Sequence, residues 1–330
     1  MYTISNDVKV MFNMKSGGSA LTGRNGMRIG VDLGGTKISA TAIDDKGSLQ
    51  TSLRISVPRG AYHATIEAVC DLVHDLESRF GRQAYVGLAT PGAVDPVSGR
   101  LKNANATWLI GTAIHGDLAA RLGRPVRIAN DADCFALSEA SDGAAAGESP
   151  VFGVILGTGV GGGIVVDGHL IHGPNAIAGE WGHNPLPRMT DAEHPGPACY
   201  CGRRGCIETF LSGPGLSADH AMATGTEPID AASIAARAER GDAAATAALD
   251  RYLDRLGRAL AGVINVVDPA VIVLGGGLSQ IDRLYRDLPA ALAPHVFTDQ
   301  LLTRVRPPHH GDDSGVRGAA RLWAADEMGA

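Results

Sequence analysis

Four potential metal ligands lie close together in the second half of the sequence. His183 is followed by Cys199, Cys201 and Cys206, which gives the spacing H-x15-C-x-C-x4-C. One imidazole and three thiols suit tetrahedral zinc, and four protein ligands leave no coordination position open for a substrate. The sequence therefore predicts a structural zinc ion that fixes the loop around it.

Three glycine-rich turns, each directly after an apolar β-type run, suit the binding of phosphate groups. Glycine lets backbone N–H groups approach phosphate oxygens without a side chain in the way. One such turn commonly closes a hairpin and does nothing more, but three, each over a hundred residues from the next, favour a nucleotide site. The candidates are DLGGTK (32–37), GTGVGGG (157–163) and GGG (275–277), with Gly34, Gly35, Thr36, Lys37, Gly157, Thr158, Gly159, Gly275, Gly276 and Gly277.

Two familiar nucleotide motifs are excluded by the segments that come directly after them. The glycines at 157, 159 and 162 have the spacing of a dinucleotide fingerprint, but a β-branched run comes next instead of the required helix. Residues 30–37 resemble a P-loop, but their order is G-T-K and a strand comes next. The first segment is therefore not interpreted as a dinucleotide-binding motif, nor the second as a P-loop.

A carboxylate and an amide lie where a predicted strand meets a predicted helix, at Asn130 and Asp131. Two interpretations of Asp131 are open: it caps the helix, or it accepts the proton of an alcohol that attacks the γ-phosphate of ATP. Phosphoryl transfer has a loose transition state, so a well-aimed carboxylate of ordinary pKa suffices as the base. Polar side chains that could hold sugar hydroxyls cluster at 102–105, at 180–183 and at Glu208.

The elements that position these residues follow one pattern twice. A strand near 27–31, a glycine turn and a strand at 38–43 precede a helix at 62–80, a strand at 85–88, a helix at 113–122 and a strand at 126–129. After a helix at about 132–140, the pattern begins again with a strand at 151–156, the second glycine turn and a strand at 164–166. Gly30 and Gly153 hold equivalent places, which indicates a duplicated α/β fold.

The second unit continues with helices over 233–265 and an apolar strand at 270–274. A final helix over 318–326 is expected to pack back on the first unit. We therefore predict a flexible leader (1–26), an N-terminal domain (27–130, joined by the helix at about 316–330) and a C-terminal domain (131–315) that contains the zinc loop. The leader lacks an apolar core, so it does not resemble a secretion signal.

Composition excludes several function classes. The net charge of −6 is mild, which argues against non-specific binding to nucleic acid. No run approaches the roughly 18 apolar residues that cross a bilayer. Five cysteines without a signal peptide argue against a disulfide framework, and Cys70 and Cys134 are interpreted as inert core thiols. A cytoplasmic location is the default expectation.

With these motifs in view, the chain resembles the ROK family of sugar kinases and repressors. The likeness runs from about 28 to 323. It rests on DLGGTK, TPG (90–92), NDADC (130–134), GTGVGGG, AGEWGH (178–183), CYCGRRGCIE (199–208) and LGGGLS (274–279). Within the family, KNANATWL, EWGHNPLP and CYCGRRGCIETFLSG are most similar to the manno(fructo)kinase branch.

The resemblance implies an actin-like ATPase fold of two ribonuclease H-like domains around a cleft. It also implies a role for each matching residue: Asp131 is the catalytic base, and the glycine turns, with Asp32 at the Mg-ATP end, bind the nucleotide. His183 both holds the sugar and ligates zinc. The implied sugar contacts are Asn105, Asn130, Asp131, Glu180, His183 and Glu208.

The expected activity is ATP-dependent phosphorylation of a hexose, with Mg²⁺ and structural zinc, in a homodimer. Fructose is the first expectation, with mannose as a second substrate, and glucokinase or N-acetylhexosamine kinase activity is the alternative. A sugar-sensing regulator without catalysis is the rival from another class. The 26-residue leader cannot form the winged-helix domain of ROK repressors, which counts against that rival.

Overall fold

The computed structural model describes residues 26–44, 46–104, 106–324 and 327, and its first half forms a five-stranded sheet. In chain order the elements are β1 (Arg28–Leu33), β2 (Lys37–Ile43), β3 (Leu49–Ser56), α1 (Tyr62–Phe80), β4 (Tyr85–Thr90), β5 (Ala93–Val94), β6 (Leu101–Lys102), α2 (Ile114–Leu122) and β7 (Val126–Asn130). The strand order is β3-β2-β1-β4-β7. β1, β2 and β3 are antiparallel, whereas β4 and β7 run parallel to β1.

The second half forms another five-stranded sheet. Its elements are α3 (Asp131–Ser141), β8 (Val151–Leu156), β9 (Val160–Val166), β10 (His169–Leu170), α4 (Ile207–Leu211), α5 (Gly213–Thr224), α6 (Ala231–Glu239), α7 (Ala243–Val267), β11 (Val271–Gly275), α8 (Asp282–Leu292), β12 (Arg304–Arg306) and α9 (Ser314–Arg321). The strand order, β10-β9-β8-β11-β12, repeats that of the first sheet. β8, β11 and β12 are parallel, and β9 and β10 extend them antiparallel. This repeat confirms the predicted duplicated α/β fold.

Helices α9 and α3 pack closely against the central strands of the sheets. A Cβ atom on Gly30 of β1 would lie 1.9 Å from Val316 O of α9, and one on Gly153 of β8 would lie 2.5 Å from the Cβ of Ala136 in α3. The two helices also touch each other, since a Cβ on Gly318 would lie 1.7 Å from a backbone oxygen of α3. Glycine is therefore needed at these positions, because no side chain fits between helix and strand at Gly30 and Gly153 or between the two helices at Gly318. The equivalence of Gly30 and Gly153 is thus a packing feature.

Each sheet covers its own hydrophobic core. One core is built by the strands β1, β2 and β4 together with α1 and α2. The other, larger core packs β8 and β11 against α7, whose 25 residues are amphipathic. No helix in the described ranges combines the length and apolarity that a membrane span requires.

Several element boundaries differ from the sequence prediction. The helix at 62–80 and the strand at 151–156 are confirmed, whereas the glycines at 161–163 belong to β9 and not to the turn, because they pair with β8. The helices predicted over 233–265 are confirmed as α6 and α7, whereas the final helix lies at 314–321 and begins four residues earlier than expected. β3, β12 and α8 were not predicted, although the leucines at 284, 288 and 292 have the spacing of an amphipathic helix. Residues 1–25 of the predicted leader, and Asn105, lie outside the described residues.

Candidate active site

Asp131 lies at the amino end of α3, directly after β7 ends at Asn130. Because β1, β4 and β7 are parallel, their carboxyl ends meet at one edge of the sheet, and Asp32 lies near the end of β1. Ligands of open α/β sheets commonly bind at this edge. Asn130 is the helix cap: its Oδ1 accepts a hydrogen bond from Ala132 N at 2.9 Å, and its Nδ2 donates to Gly92 O at 3.0 Å. Asp131 is therefore not needed as the cap.

The carboxyl group of Asp131 is short of hydrogen-bond donors and close to other acids. Burial raises its pKa to about 7, and the charges of Asp32 and Glu180 add to the rise, although a hydrogen bond from Ala132 N at 2.8 Å opposes it. Burial also raises the pKa of Asp32 to about 6, while Lys37 partly offsets this effect. Desolvation and like charges disfavour the ionised form of both acids. The site thus holds a carboxyl group that changes its charge near neutral pH.

A third acid, Asp133, lies in the first turn of α3. Its side chain is 9% exposed, and its Oδ1 has no hydrogen-bond partner. Burial raises the pKa of Asp133 to about 8, and the neighbouring charges of Glu180 and Asp131 contribute. The sequence prediction missed this residue, although its place two positions after Asp131 in NDADC was visible.

The segment that carries Glu180 is anchored on the second sheet. Trp181 donates from Nε1 to Gly161 O at 2.9 Å, which fixes the short helix 181–183 on β9. Burial raises the pKa of Glu180, His183 partly offsets the rise, and Glu208 adds to it. Glu180 thus interacts electrostatically with Asp131 and Asp133 on one side of the sequence and with His183 and Glu208 on the other.

Glu208 faces the second glycine turn. Its Oε2 accepts a hydrogen bond from Val160 N at 2.8 Å. A Cβ atom on Gly159 would lie 2.6 Å from the same oxygen. A larger residue at 159 would therefore displace the Glu208 carboxylate, so this glycine shapes the acidic side of the site.

The three glycine turns lie at strand ends, as predicted. Gly34 N donates to Lys37 O at 3.0 Å in the β1–β2 turn, and Gly157 N donates to Gly159 O at 3.0 Å in the β8–β9 turn. Gly276, after β11, has a φ of +79°, which favours glycine. The same turns contain the other predicted residues: Gly35, Thr36, Thr158, Gly275 and Gly277.

The four predicted metal ligands converge. Their donor atoms all lie within 4.8 Å of one another. The Sγ atoms of Cys201 and Cys206 are 3.6 Å apart, and Cys199 Sγ lies 3.6 Å from His183 Nδ1. Ligand atoms about 2.0–2.3 Å from one tetrahedral zinc ion would lie about 3.6–3.8 Å apart, so the set fits zinc.

Comparison with known proteins places this geometry in a family. The model of the ROK family matches residues 28–326. The chain belongs to the ROK family. An N-acetyl-D-glucosamine kinase of Escherichia coli is 41% identical over 306 residues, which cover 91% of this ROK chain and 100% of the relative.

Solved structures of ROK proteins share the two-domain, actin-like fold. A ROK hexokinase from Thermus thermophilus is 30% identical with a TM-score of 0.79, over 89% of this chain and 96% of that one. A ROK family glucokinase from Streptomyces griseus, solved in complex with glucose and AMPPNP, is 27% identical with a TM-score of 0.71, over 90% and 99% of the two chains. The predicted fold class is therefore confirmed.

Proposed function

We propose that this ROK protein transfers the γ-phosphate of ATP to a hydroxyl group of a hexose or N-acetylhexosamine. The observation that carries the proposal is Asp131, a donor-poor carboxylate at the edge of the first sheet where the carboxyl ends of β1, β4 and β7 meet. The proposal is also supported by the similarity to an N-acetyl-D-glucosamine kinase over that relative's full length.

In this proposal Asp131 is the general base. In its ionised form it accepts a hydrogen bond from the sugar hydroxyl, aims that oxygen at the γ-phosphate and takes the proton as the new O–P bond forms. Its raised pKa, about 7, makes it a better proton acceptor than an ordinary aspartate while leaving much of it ionised at neutral pH. Asn130, Glu180, His183 and Glu208 would hold the other sugar hydroxyls, and Asn105 is proposed for the same role.

The nucleotide would lie along the glycine turns. Backbone N–H groups near Gly34, Gly157 and Gly276 would face the phosphates, as such turns do at other phosphate sites. Asp32, at the end of β1, would hold Mg²⁺, which neutralises charge on the transferred phosphate. We propose that residues 27–130 and 131–315 act as two domains that close on both substrates and exclude water.

The preferred sugar is proposed to be N-acetyl-D-glucosamine. The 41% identity to the E. coli kinase supports this alternative better than the fructose expectation from branch-like motifs. One or two pocket contacts separate such substrates by only a few kcal/mol, so motif likeness is a weak guide. The homodimer and the cytoplasmic location stay predictions.

A coupled assay of ADP release tests the proposed activity. We expect turnover with N-acetylglucosamine to exceed that with N-acetylmannosamine, glucose, mannose and fructose. A highest kcat/KM for fructose would favour the manno(fructo)kinase branch instead. Sugar binding without ADP release from any of the five would contradict the kinase proposal and favour a sensing role.

We propose that His183, Cys199, Cys201 and Cys206 hold one structural zinc ion. A closed shell of four ligands would tie the Glu180 segment to the Glu208 helix. Elemental analysis is expected to find one zinc per chain, and Cys201→Ser is expected to lower the zinc content and weaken sugar binding. Active protein without zinc would contradict this ligand set.

A further inference from the structure

Tyr200 lies between two proposed zinc ligands, Cys199 and Cys201, and its side chain extends over His183. Its hydroxyl lies 2.9 Å from His183 Nε2, and the two rings meet edge-on with centroids 5.1 Å apart at 86°. Tyr200 is nevertheless 73% exposed, so it contributes little to the core. Its position is therefore explained by the contact with His183 and not by packing.

His183 has only one ring nitrogen free for a ligand. Nδ1 faces Cys199 Sγ at 3.6 Å inside the four-residue cluster, so Nε2 points away from it. An imidazole nitrogen makes one hydrogen bond in the plane of its ring. The Tyr200 hydroxyl therefore occupies the position on Nε2 that a sugar oxygen needs.

The main chain beneath Tyr200 is held in place. Cys199 N donates to Arg203 O at 2.8 Å, and Gly202 N donates to Cys199 O at 3.0 Å. The exposed phenol can still swing about its own torsions, because exposed side chains change rotamer within nanoseconds. Side-chain rotation alone can thus uncover Nε2.

We propose that Tyr200 sets the affinity for the sugar by competing with it for His183 Nε2. The proposal rests on the proposed function. The sugar must break the Tyr200–His183 hydrogen bond before its own oxygen can bind, so part of its binding free energy is lost in the exchange. Removing only the phenolic oxygen leaves the ring and the zinc turn in place and removes the competitor.

Calorimetric titration with N-acetylglucosamine, without nucleotide, tests this competition in the wild type and in Tyr200→Phe. A hydrogen bond contributes about 0.5–1.5 kcal/mol net, so we expect the Kd of the variant to fall about two- to tenfold and KM to fall with it. Tyr62→Phe is the matched control, because the Tyr62 hydroxyl bonds Asp117 on the other half of the molecule. Its Kd should equal that of the wild type.

Imidazole ¹⁵N spectra supply a second readout without activity. Before sugar is added, Tyr200→Phe should shift the Nε2 resonance of His183, and saturating sugar should remove the difference between the two proteins. A Kd for Tyr200→Phe that is unchanged or higher than in the wild type would overturn the competition while leaving the kinase proposal intact. A wild type that binds none of the five sugars would overturn both.

Discussion

The two ends of helix α3 carry carboxylates with opposite properties. Asp131 at the amino end accepts a hydrogen bond from Ala132 N, and its pKa is raised to about 7. Glu139 near the carboxyl end is fully buried, yet its pKa is lowered, because four donors outweigh the effect of burial. Those donors are Ala144 N at 2.8 Å, His309 N at 2.9 Å, His310 N at 3.1 Å and Ser314 Oγ at 2.7 Å.

The number of hydrogen-bond donors around each carboxylate distinguishes the proposed catalytic residue, Asp131, from the structural residue, Glu139. A carboxylate surrounded by donors is stabilised as an anion and is a poor base. Glu139 accordingly fixes the segment that leads into α9. Asp142, one residue beyond α3, bonds His310 and Arg317 at 2.9 Å each and supports the same junction. Asp131 has few hydrogen-bond donors, so its anion is less stabilised and it remains a better base.

The largest expected difference between the two ends is in turnover. Asp131→Asn should lower kcat by about 10³-fold or more, because the amide cannot take the sugar proton. Sugar binding should survive. Glu139→Gln should keep most of the turnover. Steady-state kinetics of the two variants side by side checks this, and near-normal kcat in Asp131→Asn would refute the base assignment.

The second-largest expected effect is on the stability of the fold. It concerns Glu139, near the carboxyl end of α3. Glu139→Ala leaves buried N–H groups without acceptors, so the free energy of unfolding should drop by about 3 kcal/mol. Glu239→Ala, at an exposed glutamate that ends α6, is the control and should change it by less than about 0.5 kcal/mol. Denaturant unfolding measures both, and equal losses would show that Glu139 is not a structural anchor.

The smallest expected effect is the pH dependence of stability, which should have opposite signs at the two ends. Between pH 4 and 7 folded Asp131 keeps a proton that the unfolded chain has lost, so its contribution to stability falls as pH rises. The contribution of Glu139 is instead present above its unfolded pKa and is lost as pH falls through its lowered folded pKa.

Unfolding free energies from pH 4 to 8 test the sign at Asp131. The wild type should lose stability relative to Asp131→Asn as pH rises through this range. Asp32 titrates in the same window, but both proteins contain it, so its own titration largely cancels from the comparison. Parallel curves for the two proteins would contradict the raised pKa.

Local sequence pattern was sufficient to predict much of the fold. The apolar period of 62–80 and the β-branched run of 151–156 indicated α1 and β8, and the glycine turns marked the strand ends. The convergence of His183 with three cysteines was also predictable, because the cysteines are near one another in sequence and few other structures explain their spacing.

Contacts between distant segments were not predictable. Three of the four donors to Glu139 belong to residues 170 to 175 positions away, and nothing in its own neighbourhood in the sequence marks it. The burial of Asp133 depends on how α3 packs against β9, and the contact of Tyr200 with His183 depends on a side-chain torsion. Such features need the assembled fold.

The most direct test of the proposal that Asp131 activates the sugar hydroxyl is a crystal structure with N-acetylglucosamine and a non-hydrolysable ATP analogue. The quantity to measure is the distance between the Asp131 carboxylate and the 6-hydroxyl oxygen. We predict about 2.6–3.2 Å, with that oxygen facing the γ-phosphate. A closed complex in which Asp131 is out of hydrogen-bond reach of every sugar hydroxyl would contradict the assignment of Asp131 as the base.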